Sequence, residues 1–450
     1  MSECYIVVAV PLKAPAFRLE VDADKELASE YDNMLACIRC GACLTSCPTY
    51  VISMHESEGP RGRIGIMRAL AEGHLEVTPD LVQHELNCLV CDACSAVCPA
   101  GVHMDPMQVA LRSVIEQRAQ RPWWQRLVRR FAFGWAFRDM RNFRLLVRLL
   151  WLAQTLRLTA LGHVLPGLSG PTRLLPKLSG RFLIPRGETY AAAGVDGPRN
   201  AERGSRNPEP RVDFFAGCVM STALAEIDRA TIRVLQRAGC TIRNPAGQGC
   251  CGALNAHSGD IDGALALARR TIAAFEGSSA PVVVNSAGCG AMLKDYAHHL
   301  RHDPAWAERA RAFSARVRDL SEVLADLRLP LTRSPGSRRV VYQDACHLLH
   351  AQRISRQPRA LLRQVPGAEL VEIAEAGLCC GSAGVYNLTN PEPASNLQAR
   401  KVDNILAAQP GLVVTGNPGC LLQLRAGLAE KNSPVQVRHL AEVLDEATRP

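Results

Sequence analysis

The sequence predicts a mixed chain of α+β and α/β character: a small helical domain rich in cysteine, then two repeated α/β units, each built around a Cys-Cys-Gly turn. Three observations predict it. Two cysteine runs of identical spacing, CIRCGACLTSCP (37–48) and CLVCDACSAVCP (88–99), stand in the first quarter of the chain. Residues 212–450 hold an internal repeat, with Cys-Cys-Gly at 250–252 and again at 379–381. Short apolar runs alternate with helical patterns across that repeat, as α/β layers with mostly parallel strands require.

The totals bound what these parts can do. A chain of 450 residues with a 47% hydrophobic share suggests several domains with real cores. Eighteen cysteines are many, and no export signal precedes them. The start MSECYIVVAV has Glu3 where a signal peptide is basic, and its apolar run ends at Pro11. A cytoplasmic setting is therefore expected, with thiols kept reduced and available to metal. No apolar stretch approaches the roughly 18 residues that span a bilayer. The longest, LLVRLLWLAQTL (145–156), is broken by Arg148. Of the net charge of +9, the segment from Arg121 to Arg186 carries +12, with Asp139 its one acid, so the rest sums to −3. Basic charge confined to one segment predicts a local docking surface and no nucleic-acid partner.

Taken in order, residues 1–30 read as an N-terminal tail or short strand. Residues 31–120 form the helical domain. Both of its runs follow C-x2-C-x2-C-x3-C-P, the bacterial ferredoxin pattern for [4Fe–4S] clusters. Three cysteines wrap one cubane, and the fourth, beside proline, ligates the other. This makes the region a bis-[4Fe–4S] ferredoxin-type domain. It assigns Cys37, Cys40, Cys43 and Cys98 to one cluster and Cys47, Cys88, Cys91 and Cys94 to the second. Structural zinc fits poorly, because zinc sites use separated C-x2-C pairs. Arg61 and Arg63, in GPRGR (59–63), are either donors to the cluster sulfurs or part of a solvated basic loop.

Residues 121–211 follow. Helices rich in Arg and Leu are expected over 121–185, with Trp123, Trp124, Trp135 and Trp151 among the arginines. The stretch 121–186 suits peripheral contact with the inner face of an anionic cell membrane, or packing against a partner. RGETYAAAGVDGPRNAERGSRNPEPR (186–211) has no periodicity and reads as a flexible linker.

The repeated units are expected at 212–330 and 331–450. The first holds Cys218, Cys250, Cys251 and Cys289; the second holds Cys346, Cys379, Cys380 and Cys420. From first cysteine to Cys-Cys the steps are 32 and 33 residues, and from there to the last cysteine 39 and 41. FFAG, VVVN and VVTG suit strands buried on both faces. Each cysteine then falls past the carboxyl end of a strand, where open α/β sheets place ligands. Gly252 and Gly381 permit the sharp turn that aims adjacent cysteines at one centre. These eight are candidate ligands for one or more further iron–sulfur clusters; plain packing of buried thiols is the alternative. His257 and His347 follow the cysteines closely enough to serve as donors near a cluster. Cys4 and Cys240 are left as structural thiols. GQGCCG (247–252) matches a dinucleotide fingerprint only by accident, since no acid follows about 20 residues on. With no flavin or nicotinamide fingerprint, any hydride chemistry is expected on another subunit.

The order of these parts resembles the iron–sulfur subunit of glycolate oxidase (glycolate dehydrogenase). The stretches that carry the resemblance are CIRCGACLTSCPTY (37–50), GPRGRI (59–64), CLVCDACSAVCPAGV (88–102), QGCCGALNAHSGD (248–260), QDACHLLH (343–350) and LCCGSAGVYN (378–387). The resemblance implies a complex in which an FAD-containing subunit oxidises glycolate to glyoxylate and this type of chain passes electrons toward a quinone-type acceptor. A lactate or glycerol 3-phosphate dehydrogenase with the same kind of subunit is a close variant. Related heterodisulfide reductase subunits close each repeat with C-x-x-C, and thiol–disulfide chemistry of that type is the rival reading. Here those positions read CGAM (289–292) and CLLQ (420–423). An ordinary cubane, a partial site, or no cluster in one repeat all stay open. A scaffold whose clusters never change oxidation state is the third reading.

Overall fold

The computed structural model describes residues 25–119, 121–159, 174–178, 180–181, 184–193, 210–334, 336 and 339–449. Its first part is helical. Seven helices, among them Pro48–Ser53, Pro60–Ala71, Pro79–Leu86 and Met104–Arg118, pack around a core that includes Met34, Met67, Met107, Leu111 and Ile115. Three of these helices begin with proline, whose fixed φ suits a first turn and whose missing N–H is not needed there. Of the expected tail, the last residues form a short helix, Lys25–Ser29; residues 1–24 and Cys4 lie outside the described residues.

Of the helices expected over 121–185, the described residues contain those up to Thr155; 174–178 are not helical, and 160–173 lie outside the described residues. The basic segment runs as Trp123–Arg129, a π-helical turn Arg130–Ala136, and Met140–Thr155. Its first helix buries nothing, and Trp123, Trp124, Leu127, Val128 and Phe131 are all exposed. Among the described residues no helix is long and apolar enough to cross a membrane.

The two repeats form two sheets with the same strand order. The first contains β1 (Glu188–Tyr190), β2 (Arg211–Phe215), β3 (Thr241–Asn244), β4 (Val282–Val284) and β5 (Val317–Asp319), in the order β1-β3-β2-β4-β5. The second contains β6 (Arg339–Tyr342), β7 (Glu369–Val371), β8 (Leu412–Thr415) and β9 (Gln436–His439), in the order β7-β6-β8-β9. Every pairing is parallel except β1 with β3. Val282, Val283 and Val284 are all buried, as a strand covered by helices on both faces must be.

β1 corrects the expected linker. Residues 188–190 pair antiparallel with 241–244, and Ala193 N donates to Gln236 O, so the start of that stretch is an edge strand of the first sheet. The composition gave no sign of it, because a three-residue edge strand needs only a neighbour with free backbone groups. Residues 194–209 lie outside the described residues.

The two sheets share one apolar core, in which Phe214, Val234 and Leu235 join Val341, Val413 and Leu444. Arg233 and Arg237 on helix Ala225–Arg237 both pair with Asp445 on helix Leu440–Ala447, at 2.7 and 2.8 Å. Behind the cysteines the join is made of hydrogen bonds: Ala287 N to Gly416 O (3.1 Å), Gly288 N to Asn417 Oδ1 (3.1 Å) and Gln352 Nε2 to Ala287 O (2.9 Å).

Gly252 and Gly381 both sit at φ 86°. A Cβ on Gly381 would lie 2.4 Å from Ala394 O, against 3.1 Å from Ala264 O for Gly252. Gly381→Ala is therefore expected to destabilise by more than the roughly 1–3 kcal/mol of the backbone strain alone. Gly65, inside helix Pro60–Ala71 with open space where a Cβ would go, is the control. There alanine is expected to stabilise by up to about 1 kcal/mol. Thermal unfolding of the two variants checks both signs.

Candidate functional site: two cysteine-walled cavities and two Cys-Cys-Gly turns

Each ferredoxin-type run closes on itself because two of its residues take left-handed backbone. Arg39 (φ 55°) and Gly41 (φ 81°) do so in the first run; Val90 (φ 49°) and Asp92 (φ 58°) do so at the same offsets in the second. Successive N–H groups thereby turn inward, as in anion-binding nests. Val90 is β-branched, and its conformation costs on the order of 1–3 kcal/mol. It is buried, and its N–H donates to Cys88 Sγ at 3.4 Å.

The loops wall two neighbouring cavities. One is lined by Cys37, Cys40, Cys43 and Cys98, together with Cys94. The other is lined by Cys47, Cys88, Cys91 and Cys94. The fourth cysteine of each run thus stands with the three-cysteine loop of the other. Burial pushes the free thiols of Cys88, Cys91 and Cys94 above their usual range. A metal centre there must displace protons to gain thiolates. Among the described residues no three His, Cys, Asp or Glu are arranged to hold a single metal ion. A four-iron cubane spreads its thiolates across its own width, and cysteines spaced around a cavity fit such a group.

Arg61 and Arg63 have different surroundings. Arg61 is partly exposed, pairs with Glu56 at 2.5 Å and lines the first cavity. Arg63 lines the second cavity and is 1% exposed, which rules out a solvated loop. Its guanidinium donates to Glu58 O (2.6 Å), Glu58 Oε2 (2.7 Å), Thr49 Oγ1 (3.0 Å) and His84 O (3.2 Å). Thr49 Oγ1 lies 3.3 Å from Cys47 Sγ, which links the buried cation to the sulfur.

In the repeats four of the eight cysteines follow strand ends or start helices, and the two Cys-Cys pairs lie in the loops after β3 and β7. Cys218 and Cys346 come just past β2 and β6, and Cys289 and Cys420 sit in the first turns of Ala287–His299 and Pro418–Glu430. Cys218 Sγ is 3.5 Å from Cys250 Sγ, and Cys346, Cys379, Cys380 and Cys420 of the second set are all buried. Each set has a cation beside it, partly buried in the first and fully buried in the second. Arg186, which the sequence placed at the start of a linker, donates to Gly217 O and Gln248 O next to the first set. Burial lowers it to about 10, so it stays charged at neutral pH. Lys401, fully buried beside the second set, donates to Glu375 O (2.6 Å) and Ala376 O (3.0 Å). Cations placed against thiols suit thiolate ligands.

The two sets have different neighbours. Cys346 and Cys379 pack with Leu89, Cys91 and Tyr386 in one apolar cluster, so the second set adjoins the second ferredoxin-type cavity. Cys218 and Cys250 pack instead with Met140 of the basic segment. His347 Nδ1 lies 3.5 Å from Cys346 Sγ. His257 does not reach a cysteine sulfur among its hydrogen bonds; its Nε2 meets Asp105 Oδ1 at 3.2 Å. Cys240 is a buried core thiol. The residues missed by sequence reasoning are Arg186, Lys401, Glu58 and Arg112. Only Glu58 carried a signal, as the neighbour of GPRGR; the rest are single cations with no motif.

Comparison with known proteins follows this geometry. The 4Fe-4S dicluster domain family matches residues 36–102, and the cysteine-rich domain family matches 212–294 and 340–425. The chain is 39% identical over 430 residues to the "Probable glycolate oxidase iron-sulfur subunit" of Bacillus subtilis (strain 168), covering 92% of this chain and 94% of that protein. It is 32% identical over 426 residues to the glycolate oxidase iron-sulfur subunit of Escherichia coli (strain K12), covering 93% and 96%. The chain belongs to the glycolate oxidase iron–sulfur subunit family. A subunit of the fumarate reductase (CoM/CoB) of Methanothermobacter marburgensis is 34% identical over 244 residues, 54% of this chain and 47% of that protein. Within the family frame, the positions where a C-x-x-C ending would place a fifth cysteine are committed to packing. Met292 is buried in an apolar cluster, and Gln423 Oε1 accepts from Asn387 Nδ2 at 2.9 Å.

Proposed function

We propose that this chain is the electron-transfer subunit of a flavin-dependent 2-hydroxyacid dehydrogenase, with glycolate as the acid oxidised, and that it delivers electrons to a quinone-type acceptor. The observation that carries the reading is that Cys91, Cys346 and Cys379 are buried in one apolar cluster. It brings a Cys-Cys-Gly set against the second of two adjoining cysteine-walled cavities. In this reading Cys37, Cys40, Cys43 and Cys98 hold one [4Fe–4S] cluster, and Cys47, Cys88, Cys91 and Cys94 the other. Bound clusters supply one-electron redox chemistry. The chain's own residues hold the thiols apart in a low-dielectric wall, keep water from the inner cavity and set buried cations beside it. Substrate oxidation belongs to the flavin partner. The exposed Trp and Arg helix Trp123–Arg129 supports peripheral membrane contact.

The test is reduction by substrate. The purified chain mixed with its flavin subunit and glycolate, without oxygen, is expected to show the EPR signal of reduced [4Fe–4S] clusters. Chain plus glycolate alone is expected to stay silent. Clusters that remain oxidised in the full mixture would overturn the reading.

A further inference from the structure

The structure contains a third cavity, beside the ferredoxin-type pair, that electron transfer through cysteine-walled sites does not require. It is lined on one side by Cys88, Leu89 and Val90, on a second by Trp124 and Val128, and on a third by Leu254 and the loop 383–390. Those last two pieces follow the two Cys-Cys-Gly turns. They meet here, since a Cβ on Gly384 would lie 3.0 Å from Leu254 Cδ2. One wall of the cavity therefore carries a cysteine of the second ferredoxin-type site. Trp124 and Val128, both more than half exposed, belong to the helix that buries nothing.

The lining mixes these apolar side chains with polar ones such as Gln83, Gln125, His257 and Asn390, and two of its buried donors lack acceptors. Tyr386 is 5% exposed, and its hydroxyl has no hydrogen-bond partner among the described residues. A buried hydroxyl left so is costly and needs an explanation. Arg112 is 8% exposed and donates to Cys88 O (2.5 Å) and His257 O (2.6 Å), while its Nε has no partner. Arg121 and Arg129, also in the lining, are paired with Glu116. Apolar walls interrupted by a few polar groups that fix orientation are the general form of a small-molecule site. The ligand it suits has a flat apolar ring, carbonyl oxygens that accept from a phenol and a guanidinium, and no charge of its own.

We propose that this cavity binds a quinone. The proposal rests on the electron-transfer reading above and gives its acceptor a place. Conversion of a quinone to a quinol takes up two electrons and two protons. The electrons come singly from the reduced ferredoxin-type centres, which are oxidised in turn, and the protons come from solvent. Trp124 and Val128 stand where a lipid-soluble ligand enters from an apolar surface.

The test uses the full chain, purified with its clusters, and decylubiquinone as the probe. Binding is followed by quenching of tryptophan fluorescence and by equilibrium dialysis. Separately, the dithionite-reduced chain is reoxidised either by decylubiquinone or by ferricyanide. Tyr386→Phe, which removes one donor, is expected to raise the Kd about three- to tenfold. Leu254→Trp, which fills the cavity, is expected to weaken binding more than about tenfold. Both variants are expected to keep the wild-type EPR spectrum and ferricyanide rate. Unchanged quinone affinity in Leu254→Trp, with wild-type EPR, would overturn the cavity as the site and leave the acceptor reading intact. If Leu254→Trp does not fold, unchanged affinity in Tyr386→Phe overturns it in the same way. A wild-type chain oxidised by ferricyanide but never by decylubiquinone would sink the quinone reading itself, and the proposal with it.

Discussion

Purified without oxygen, the chain is expected to carry clearly more iron than the roughly eight atoms that two [4Fe–4S] clusters hold, and Cys379→Ser is expected to remove about four of the excess. The second Cys-Cys-Gly set has the features of a ligand set. Gly381 supplies the left-handed turn, Lys401 and His347 stand beside it, and none of its four cysteines is exposed. Against the penalty of burial, the Cys346 sulfur and the nearby carboxylates of Asp92 and Asp105 raise His347 to about 9. A set of buried thiols flanked by two cations is a poor arrangement for mere packing, because apolar side chains would fill the space without any desolvated charge. The check is iron and acid-labile sulfide per chain, with low-temperature EPR of wild type and variant. A count of about eight, unchanged in Cys379→Ser, would confine the clusters to residues 37–98. The repeats would then be a docking body.

Arg63→Met is expected to lower stability by about 3–5 kcal/mol, the usual result of removing one partner of a buried ion pair. Glu58 would keep its contacts to His84 (2.7 Å) and Asn87 (3.1 Å) but lose its only buried cation among the described residues. Lysine cannot replace Arg63, because one ammonium does not reach four acceptors set around a planar fork. The same substitution is expected to lower the midpoint potential of the second cluster, since a positive charge beside a site favours its reduced, more negative state. The double variant Glu58→Gln with Arg63→Met removes both charges, and it is expected to recover part of the stability and part of the potential. Chemical unfolding and potentiometric EPR read them independently. A wild-type potential in the single variant would leave Arg63 a purely structural residue.

Most of the chemistry was legible in the sequence because it is carried by spacing. Eleven residues with four cysteines and a closing proline admit few backbone paths, and the two runs share left-handed positions at matching offsets. The repeat was legible for a similar reason: the Cys-Cys-Gly turn demands a glycine, and φ 86° at both Gly252 and Gly381 is the conformation that demand predicts. Arg186 was not legible. Its role depends on β1 adding to the sheet edge, a pairing that three residues of weak strand character do not announce. Arg63 was half legible, since the motif named it but could not say whether it faced water or a buried carboxylate. Met292 and Gln423 were read correctly as non-cysteines, yet only the packing shows what they do instead.

The sequence by itself determined the ligand chemistry, the order of the parts and the repeated α/β architecture, because these follow from residue type and local spacing. Tertiary structure alone decided which sites adjoin. Cys91 joins Cys346 and Cys379 in one apolar cluster over a separation of more than 250 residues, while Cys218 and Cys250 turn toward Met140. Two repeats with one strand order thus acquire different neighbours. The reason is physical: the repeats bury one common core against each other, so the helical domain and the basic segment pack on the cysteine ends left outside it.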